Sequence, residues 1–299
     1  MFDFPEYDAL RPLIELARRE DMGIDDDDVT SRLMVPEDAV GVGTLMQKEV
    51  GIACGLPIVP MICGIYDERL RVEQIPGFHL EIIEGRFSDA RTMPLMRIRG
   101  PLRSILSAER VVLNFLQRMS GVASLTHRYV RRVAGTQAKI FDTRKTIPGH
   151  RLLDKYAVRC GGGSNYRMGL YDGLLVKDNH VASVPVKELQ AYLSGVVARS
   201  RAEDPNRSIE IEVDTLEQLR EVLKVDGVHV ILLDNMDCPK MTMAVELRNK
   251  SGRQTALEAS GGVTLETVRP IAQTGVERIA VGALTHSVPA LDISLEIES

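Results

Sequence analysis

The sequence contains no tryptophan, and aromatic residues make up only 4% of its 299 residues. Single-stranded nucleic acids bind by stacking their bases on aromatic side chains, of which this chain has few. Basic residues are also fewer than acidic ones, with 37 lysines and arginines against 42 aspartates and glutamates. The resulting net charge of −5 disfavours non-specific binding to a phosphate backbone. We therefore expect no nucleic-acid partner.

Long hydrophobic runs are also missing. The longest uncharged stretch, residues 51–65, is interrupted by Pro57 and Pro60. It is shorter than the roughly 20 apolar residues that a membrane-spanning helix needs. The N-terminus is charged from Asp3 onward and lacks the apolar core of a signal peptide. These features predict a cytoplasmic protein without a membrane partner.

Cysteine is scarce, and its spacing is not that of a metal site. The four cysteines form no CxxC pair, and the six histidines form no HExxH motif. Free cysteine is usually buried. We therefore expect buried free thiols and no structural metal at the four positions Cys54, Cys63, Cys160 and Cys238.

From about residue 139 onward, short β-branched runs alternate with amphipathic segments. The predicted strands are 139–142, 173–176, 209–213, 228–233, 255–258 and 278–281, and the predicted helices are 186–199, 215–224, 239–250 and 264–274. Such alternation indicates a parallel sheet, either open and doubly wound or closed into a barrel. Polar or glycine residues follow every predicted strand, and a barrel gathers all these ends on one face. We expect an α/β barrel with fewer than eight strands.

The first 105 residues have a different pattern. Residues 41–48, 70–74 and 96–99 alternate like antiparallel strands, with a helix near 7–19. Residues 106–133 predict one or two helices, with Ser107 as the N-cap. We predict an N-terminal α/β sandwich domain over 1–115 and a barrel catalytic domain over 116–288, with the alternating tail, about 289–299, returning to the first domain.

Positive charge is concentrated in one segment of this acidic chain. Residues 142–180 hold seven lysines and arginines against four aspartates, interleaved with the glycines at 161–163. Arg144 and Lys145 follow the first predicted barrel strand, and Lys177 follows the second. Arginine offers a planar fork to a carboxylate or phosphate, and lysine a compact charge. This pattern predicts a site for a small, highly charged anion.

Two acidic residues and two glycine loops end the later strands. Glu212 and Asp234 end neighbouring predicted strands, about 4.8 Å apart, so the two carboxylates can share a Mg²⁺ ion, partly through water or substrate. The alternative is pairing with Lys145 and Lys177 without a metal. Glycine lets backbone N–H groups approach a phosphate, which predicts a phosphate site at Ser260, Gly261, Gly262, Gly282 and Ala283.

These residues carry a resemblance to a known family. The run from 142 to 180, DTRKT-PG-R-L-KYAV-GGG-N-R-GL-D-KDNH, resembles quinolinate phosphoribosyltransferases, the carboxylating nicotinate-nucleotide pyrophosphorylases of NAD biosynthesis. The similarity continues through AERVVLNFLQRMSGVAS (108–124), IEVDTLEQL (211–219), LLDNM (232–236), EASGGV (258–263) and VGALTHS (281–287). It covers nearly the whole chain.

The resemblance implies a fold, a reaction and roles for residues. The fold would be an N-terminal α/β sandwich and an incomplete barrel, with active sites shared across a homodimer, alone or within a hexamer. The reaction would convert quinolinate and phosphoribosyl pyrophosphate to nicotinate mononucleotide, pyrophosphate and CO₂, with Mg²⁺ as cofactor. Arg144, Arg167 and Lys177 would bind the quinolinate carboxylates, and Lys145 would reach towards the donor. Arg110 would come from the partner, Glu212 and Asp234 would lie near the ribose and Mg²⁺, and the glycine loops would hold the 5′-phosphate.

One position departs from the family pattern. Members commonly have Asn-His-Arg where this chain has Asn165-Tyr166-Arg167. Tyrosine donates a hydrogen bond but is neutral at pH 7. His150 is also unusual, because the family tends to have an apolar residue there. Two alternatives therefore stay open: a related transferase with another pyridine or azole carboxylate as acceptor, and a non-catalytic phosphoribosyl or nucleotide binder.

Overall fold

The structure is a computed structural model that describes residues 3–298, apart from the side chain of Ile82. The chain divides into two compact units. The first comprises the chain through His127, the segment Ile147–Gly162 and the segment from Ser287 onward. The second comprises Arg128–Thr146 and Gly163–His286. No helix in the described part of the chain is both long and apolar enough to cross a bilayer.

The elements follow one another along the chain in this order. Through Val133 they are α1 (Tyr7–Met22), α2 (Val29–Met34), β1 (Val40–Gln47), β2 (Gly51–Ile52), α3 (Ile58–Tyr66), β3 (Arg71–Gln74), α4 (Leu80–Ile83), β4 (Phe87–Ser88), β5 (Met93–Pro101) and α5 (Leu102–Val133). After it they are β6 (Lys139–Phe141), α6 (Arg151–Cys160), β7 (Leu174–Val176), α7 (Asp178–Val181), a 3₁₀ turn (Val186–Glu188), α8 (Leu189–Glu203), β8 (Ile209–Val213), α9 (Leu216–Val222), β9 (Val230–Asp234), α10 (Cys238–Ser251), β10 (Ala256–Ser260), α11 (Val268–Gln273), β11 (Arg278–Ala280), α12 (Ala283–His286) and β12 (Ile293–Ile297).

The first unit is built on an antiparallel sheet with the strand order β12-β1-β5-β3. The C-terminal strand β12 pairs with β1, with Leu45 opposite Leu295. Leu45, Leu95 and Ile98 on the central strands are buried. Because β1 and β5 each have a partner on both sides, their ladder groups are satisfied and only the outer strands present edges.

Helix α5 begins earlier than the sequence predicted, so the assignment of Ser107 as its N-cap is wrong. The helix starts at Leu102, directly after β5. Ser107 therefore lies inside the helix, where its hydroxyl donates to the carbonyl of Arg103 (3.0 Å) and to the carboxylate of Asp28 (2.8 Å). Serine can satisfy its hydroxyl on a preceding helical carbonyl, so its presence alone does not mark a helix start.

The second unit contains a six-stranded parallel sheet with the order β6-β11-β10-β9-β8-β7. Within residues 3–298 no ladder joins the outer strands β6 and β7, so the barrel is incomplete. The prediction of an α/β barrel with fewer than eight strands is confirmed. Parallel strands place their C-terminal ends on the same face, and this face carries the site described next.

Candidate active site

A pocket of about 450 Å³ opens at the C-terminal ends of the barrel strands. Its wall contains most of the residues that the sequence indicated, namely Arg144, Lys145, Tyr166, Arg167, Lys177, Glu212, Asp234, Ser260, Gly261 and Gly262. It also contains residues that sequence reasoning did not assign to a site, among them Asp142, Thr143, Asn235 and Glu258. The pocket therefore joins separate sequence segments into one polar cavity.

A wider surface groove of about 840 Å³ lies in the first unit, but two of its arginines are already paired with carboxylates. Arg11 forms an ion pair with Glu15 (2.7 Å), and Arg18 forms one with Asp26 (2.5 Å). Volume alone does not identify an active site, whereas convergent polar groups at a barrel's C-terminal face do. We therefore place the candidate active site in the barrel pocket.

The turn after β6 presents two of the cations. The Thr143 hydroxyl accepts a hydrogen bond from the backbone N–H of Lys145 (3.0 Å). The carbonyl of Lys145 in turn accepts from the Thr285 hydroxyl (2.7 Å), which ties the turn to α12. Because both the N–H and the carbonyl of Lys145 are hydrogen-bonded, its backbone is fixed, and its side chain extends from a fixed position.

Arg167 and Lys177 supply two further cations. The Arg167 guanidinium donates to the carbonyl of Gly173 (3.0 Å), and its carbon lies 5.6 Å from the centroid of the Tyr166 ring. Its Nε is buried and has no acceptor among the residues described. A buried guanidinium donor without a partner is costly unless a ligand satisfies it. Arg167 is therefore suited to bind an anion that enters the pocket.

The acidic side of the pocket is formed by Glu212 and Asp234. In the parallel register Glu212 lies opposite Leu232, so Asp234 is two residues further along β9 on the same face of the sheet. The ammonium of Lys177 is 3.9 Å from the Glu212 carboxylate. Burial raises the pKa of Glu212, and the charge of Lys177 acts in the opposite direction.

These two carboxylates fit a Mg²⁺ ion by their chemistry. Mg²⁺ prefers oxygen ligands and is commonly bound by one or two carboxylates together with waters and substrate phosphates. Asp234 has no ion pair with a cation in the described part of the chain; its carboxylate accepts from the Asn235 amide (2.7 Å). Its remaining lone pairs are therefore open to a ligand.

A glycine turn follows β10 next to Asp234, since Ser260 lies opposite Asp234 in the parallel register. Gly261 has a φ of +98° and Gly262 a φ of +58°. A Cβ at Gly261 would overlap the amide oxygen of Asn235 and lie 2.6 Å from its Cγ. Neither glycine's N–H donates to an acceptor within residues 3–298. Two free backbone donors beside a close backbone approach form a plausible cradle for a phosphate.

The second glycine loop lies beside Lys145 rather than in the pocket wall. A Cβ at Gly282 would lie 3.2 Å from Cδ of Lys145 and 3.1 Å from the His286 ring. Ala283 is the first residue of α12. Gly282 therefore leaves the space that the Lys145 side chain uses.

Two of the residues singled out in the sequence lie in the first unit. Arg110 is exposed on α5 and does not line the pocket. His150 precedes α6, where its ring stacks on Phe115 with centroids 5.7 Å apart. Burial lowers the pKa of His150, and the charge of Arg118 acts in the same direction.

A buried acidic layer under the pocket was missed by sequence reasoning. Glu210 and Glu258 are 3% and 2% exposed. Glu258 forms an ion pair with Arg278 (2.6 Å), and Glu210 interacts electrostatically with Tyr166. Burial, followed by the neighbouring Glu258, raises the pKa of Glu210 to about 8. The signal available in the sequence was the two-residue spacing that puts these glutamates on the same strand face as Glu212 and Ser260.

Asp142 fixes the loop that carries Tyr166. Its buried carboxylate accepts from the backbone N–H of Tyr166 (2.7 Å) and from the Asn165 amide (2.7 Å). Two short hydrogen bonds from one loop hold the backbone of that loop in a single arrangement. Asp142 therefore fixes the backbone position from which the side chains of Tyr166 and Arg167 extend.

A second group of possible metal ligands lies in the first unit. The donor atoms of Cys54, Glu84 and Cys160 are within 4.8 Å of one another. The Glu84 carboxylate already accepts from the N–H of Gly55 (2.7 Å) and from the Tyr156 hydroxyl (2.8 Å). Burial raises the pKa of the Cys54 thiol well above its usual value. The Glu84 carboxylate is therefore already satisfied by hydrogen bonds within this buried group.

An incomplete α/β barrel whose pocket holds four cations, four carboxylate side chains and a glycine turn defines an enzyme that handles highly charged anions. Comparison with models of protein families identifies the family. Residues 28–120 match the quinolinate phosphoribosyl transferase N-terminal domain, and residues 122–296 match its C-terminal domain. The chain belongs to the quinolinate phosphoribosyltransferase family.

Individual relatives agree over the whole chain. It is 41% identical to the nicotinate-nucleotide pyrophosphorylase [carboxylating] of Mycobacterium leprae, with 98% of each chain covered. It is 39% identical to quinolinate phosphoribosyltransferase [decarboxylating] 1b of Nicotiana tabacum, covering 99% of this chain and 84% of that one. Among solved structures, the nicotinate-nucleotide pyrophosphorylase of Francisella tularensis superposes with a TM-score of 0.86 at 31% identity, covering 100% of both chains.

Proposed function

We propose that this enzyme transfers the phosphoribosyl group of phosphoribosyl pyrophosphate to quinolinate and releases CO₂, giving nicotinate mononucleotide and pyrophosphate. The observation that carries the proposal is the barrel pocket, in which Arg144, Lys145, Arg167 and Lys177 face Glu212 and Asp234. Two polyanions must be held together for this reaction, which requires cations placed against their carboxylate and phosphate groups. The relatives are named for the same reaction.

Quinolinate would be held by its two carboxylates. Arg167, with its buried unpaired Nε, supplies one planar donor set, and Arg144 and Lys177 supply further charge. Bidentate arginine–carboxylate pairs fix orientation as well as affinity. Lys145, held between β6 and α12, would reach towards the pyrophosphate of the donor.

The donor would bind at the glycine and carboxylate side. The free N–H groups of Gly261 and Gly262 would bind the 5′-phosphate, and the loop of Gly282 and Ala283 would extend that cradle. Glu212 and Asp234 would hold Mg²⁺, partly through water or substrate, and lie near the ribose. Bound Mg²⁺ would neutralise charge on the pyrophosphate leaving group.

The chemistry then follows from charge development. As pyrophosphate departs, C1 of the ribose becomes positive, and the carboxylates of Glu212 and Asp234 can balance that charge. Lys145 can stabilise the departing anion. The ring nitrogen of the acceptor becomes cationic once it is ribosylated. That positive charge stabilises the electron pair left on C2 when the adjacent carboxylate is lost as CO₂, and C2 then takes up one proton from water. Few proton transfers are needed, so a Ser-His-Asp arrangement is not required.

A second candidate function rests on Tyr166. Its neutral ring stands in the pocket wall beside Arg167, where the family resemblance implied a histidine. A bulkier, uncharged wall would alter the shape available to the acceptor. The alternative is therefore a phosphoribosyltransferase that prefers another pyridine or azole carboxylate.

The assembly belongs to the proposal as well. We expect a homodimer in the cytoplasm, alone or within a hexamer, in which Arg110 of one protomer completes the site of its partner. The exposed position of Arg110 on α5, away from the wall of the barrel pocket, is consistent with this role. Mixing Arg110→Ala protomers with Lys177→Ala protomers should restore part of the activity. Mixed dimers with no activity would argue against shared sites. The domain boundaries at 115 and 288 remain predictions.

The reaction is tested directly by incubating the purified enzyme with phosphoribosyl pyrophosphate, Mg²⁺ and one acceptor at a time. Quinolinate should give nicotinate mononucleotide, and Lys145→Gln should lower the rate by at least 100-fold. Lys187→Gln is the matched control, because Lys187 is exposed outside the pocket. Turnover of a different pyridine or azole carboxylate with none of quinolinate would replace the main proposal with the second candidate.

A further inference from the structure

A line of four side chains runs through the barrel interior beneath the pocket. It joins Arg278 on β11, Glu258 on β10, Glu210 on β8 and Tyr166 in the loop before β7. In the parallel register Glu258 lies directly opposite Arg278. Both glutamates are almost completely buried, at 2% and 3% exposed.

Each member of the line contacts the next. The Nε of Arg278 is 2.6 Å from a Glu258 carboxylate oxygen. The guanidinium also lies over the ring of Phe141, 3.7 Å from its centroid, which fixes its plane. The side chains of Glu258 and Glu210 interact electrostatically, and so do those of Glu210 and Tyr166. Because the Tyr166 ring lines the pocket, the line connects Arg278 to the pocket wall.

Charge makes Arg278 the critical member. Two buried carboxyl groups need a cation, and an unpaired buried charge is strongly destabilising. Arg278 is the cation that pairs with Glu258 in the described part of the chain, and its charge also acts on Glu210. Tyr166 is neutral and contributes a hydroxyl only. One oxygen of Glu210 is buried without a hydrogen-bond partner among the residues described. The side chains around the two glutamates therefore supply no spare hydrogen-bond donor.

We propose that Arg278 is a positioning residue of the acceptor pocket, which sets the orientation of Tyr166 through Glu258 and Glu210. The inference rests on the proposed function in that the acceptor is taken to be quinolinate. Without Arg278, the buried Glu258 carboxyl loses its ion-pair partner, and the interactions that lead from it through Glu210 to Tyr166 lose their fixed geometry. The acceptor side of the pocket is then disordered, while the glycine and carboxylate side, which binds the donor, is unchanged.

The test is a double-mutant cycle of Arg278→Met and Tyr166→His. Methionine keeps an unbranched apolar stem like that of arginine but has no charge. A histidine at 166 would bring a ring N–H, and a possible positive charge, next to Glu210. Arg278→Met in the wild-type background should raise the KM for quinolinate at least tenfold and leave the KM for phosphoribosyl pyrophosphate within twofold. In the Tyr166→His background the same substitution should change the quinolinate KM by less than threefold.

Arg248→Met is the matched control. Arg248 is another largely buried arginine of the barrel, which forms an ion pair with Glu277 (2.7 Å) and does not line the pocket. It should lower the thermal midpoint without changing either KM. The proposal is overturned if Arg278→Met changes the KM for quinolinate equally in the wild-type and Tyr166→His backgrounds. It is also overturned if the KM values for quinolinate and phosphoribosyl pyrophosphate change equally.

Two further measurements separate this proposal from folding and from the function itself. If Arg278→Met does not fold, Arg278→Lys, which keeps the charge but loses the fork, should raise the quinolinate KM at least threefold; an unchanged KM overturns the proposal. Thermal unfolding of Tyr166→Phe, Arg278→Met and the double variant needs no substrate, and non-additive midpoints are expected. Additive midpoints overturn the coupling, whereas a wild-type enzyme that does not turn over quinolinate counts against the proposed function alone.

Discussion

Replacing Gly261 with alanine should selectively disable donor binding. Its φ of +98° lies outside the small left-handed region that other residues enter at a cost of roughly 1–2 kcal/mol. The new Cβ would also lie 2.6 Å from Cγ of Asn235 and overlap its amide oxygen. Carbon atoms in ordinary contact are about 3.5–4.0 Å apart, so the turn and Asn235 must separate by about 1 Å.

A displacement of that size has a large kinetic effect. A shift of about 1 Å in a group that positions substrate costs on the order of 100-fold, which corresponds to about 2.7 kcal/mol. We therefore expect kcat/KM for phosphoribosyl pyrophosphate to fall about 100-fold in Gly261→Ala. Quinolinate binding should change much less, because Arg144 and Arg167 lie in other loops.

The assay is a set of initial rates with varied donor at saturating quinolinate. Gly252→Ala is the matched control. Gly252 also has a positive φ, +71°, but no atom lies within 4 Å of the position that a Cβ would take. It lies at the end of α10 and does not line the pocket. It should lose roughly 1–2 kcal/mol of stability with unchanged kinetics. A Gly261→Ala enzyme whose donor kcat/KM stays within twofold of wild type would refute the reasoning.

Three other outcomes are expected. Gly121→Ala should lower the free energy of unfolding by several kcal/mol, because the new Cβ would overlap the carbonyl oxygen of Pro289. Gly64→Ala is the control: it has open space in α3 and should be neutral or stabilising by about 1 kcal/mol. Equal denaturation midpoints for the two variants would contradict this prediction. Of the four free thiols only Cys238 is partly exposed, so native enzyme at pH 8 should react with one equivalent of a thiol reagent; two or more fast equivalents would count against the packing. Glu212→Ala should raise the Mg²⁺ and donor concentrations needed for half-maximal rate at least tenfold with little change for quinolinate, and unaltered donor kinetics would remove Glu212 from the metal site.

The elements of the second unit were largely predictable because most of its strands are short runs rich in apolar residues between helical segments. The strand Ile209–Val213 has the predicted bounds, and 228–233 differs from the observed Val230–Asp234 by two residues at the start and one at the end. The polar residues at the strand ends also follow from chain direction, since all ends of a parallel barrel meet on one face.

The unpredicted features depend on contacts between segments that are distant in sequence. Glu210 and Glu258 lie on strands that do not pair directly, so only the curvature of the barrel brings them together. Helix α6 was not among the predicted elements, although its buried Leu153, Tyr156 and Ala157 have helical spacing. Its buried Asp154 pairs with Arg118 on α5 (2.8 Å), a contact between distant segments that the sequence does not show.

The central claim is that this pocket couples phosphoribosyl transfer to decarboxylation. It is tested most directly with quinolinate labelled in its 2-carboxyl group, by measuring labelled CO₂ and nicotinate mononucleotide in the same reaction. The account predicts one CO₂ for each nicotinate mononucleotide, formed only when phosphoribosyl pyrophosphate is present and lost together in Lys145→Gln. CO₂ release without the donor, or nucleotide formation from an acceptor that keeps both carboxylates, would contradict it.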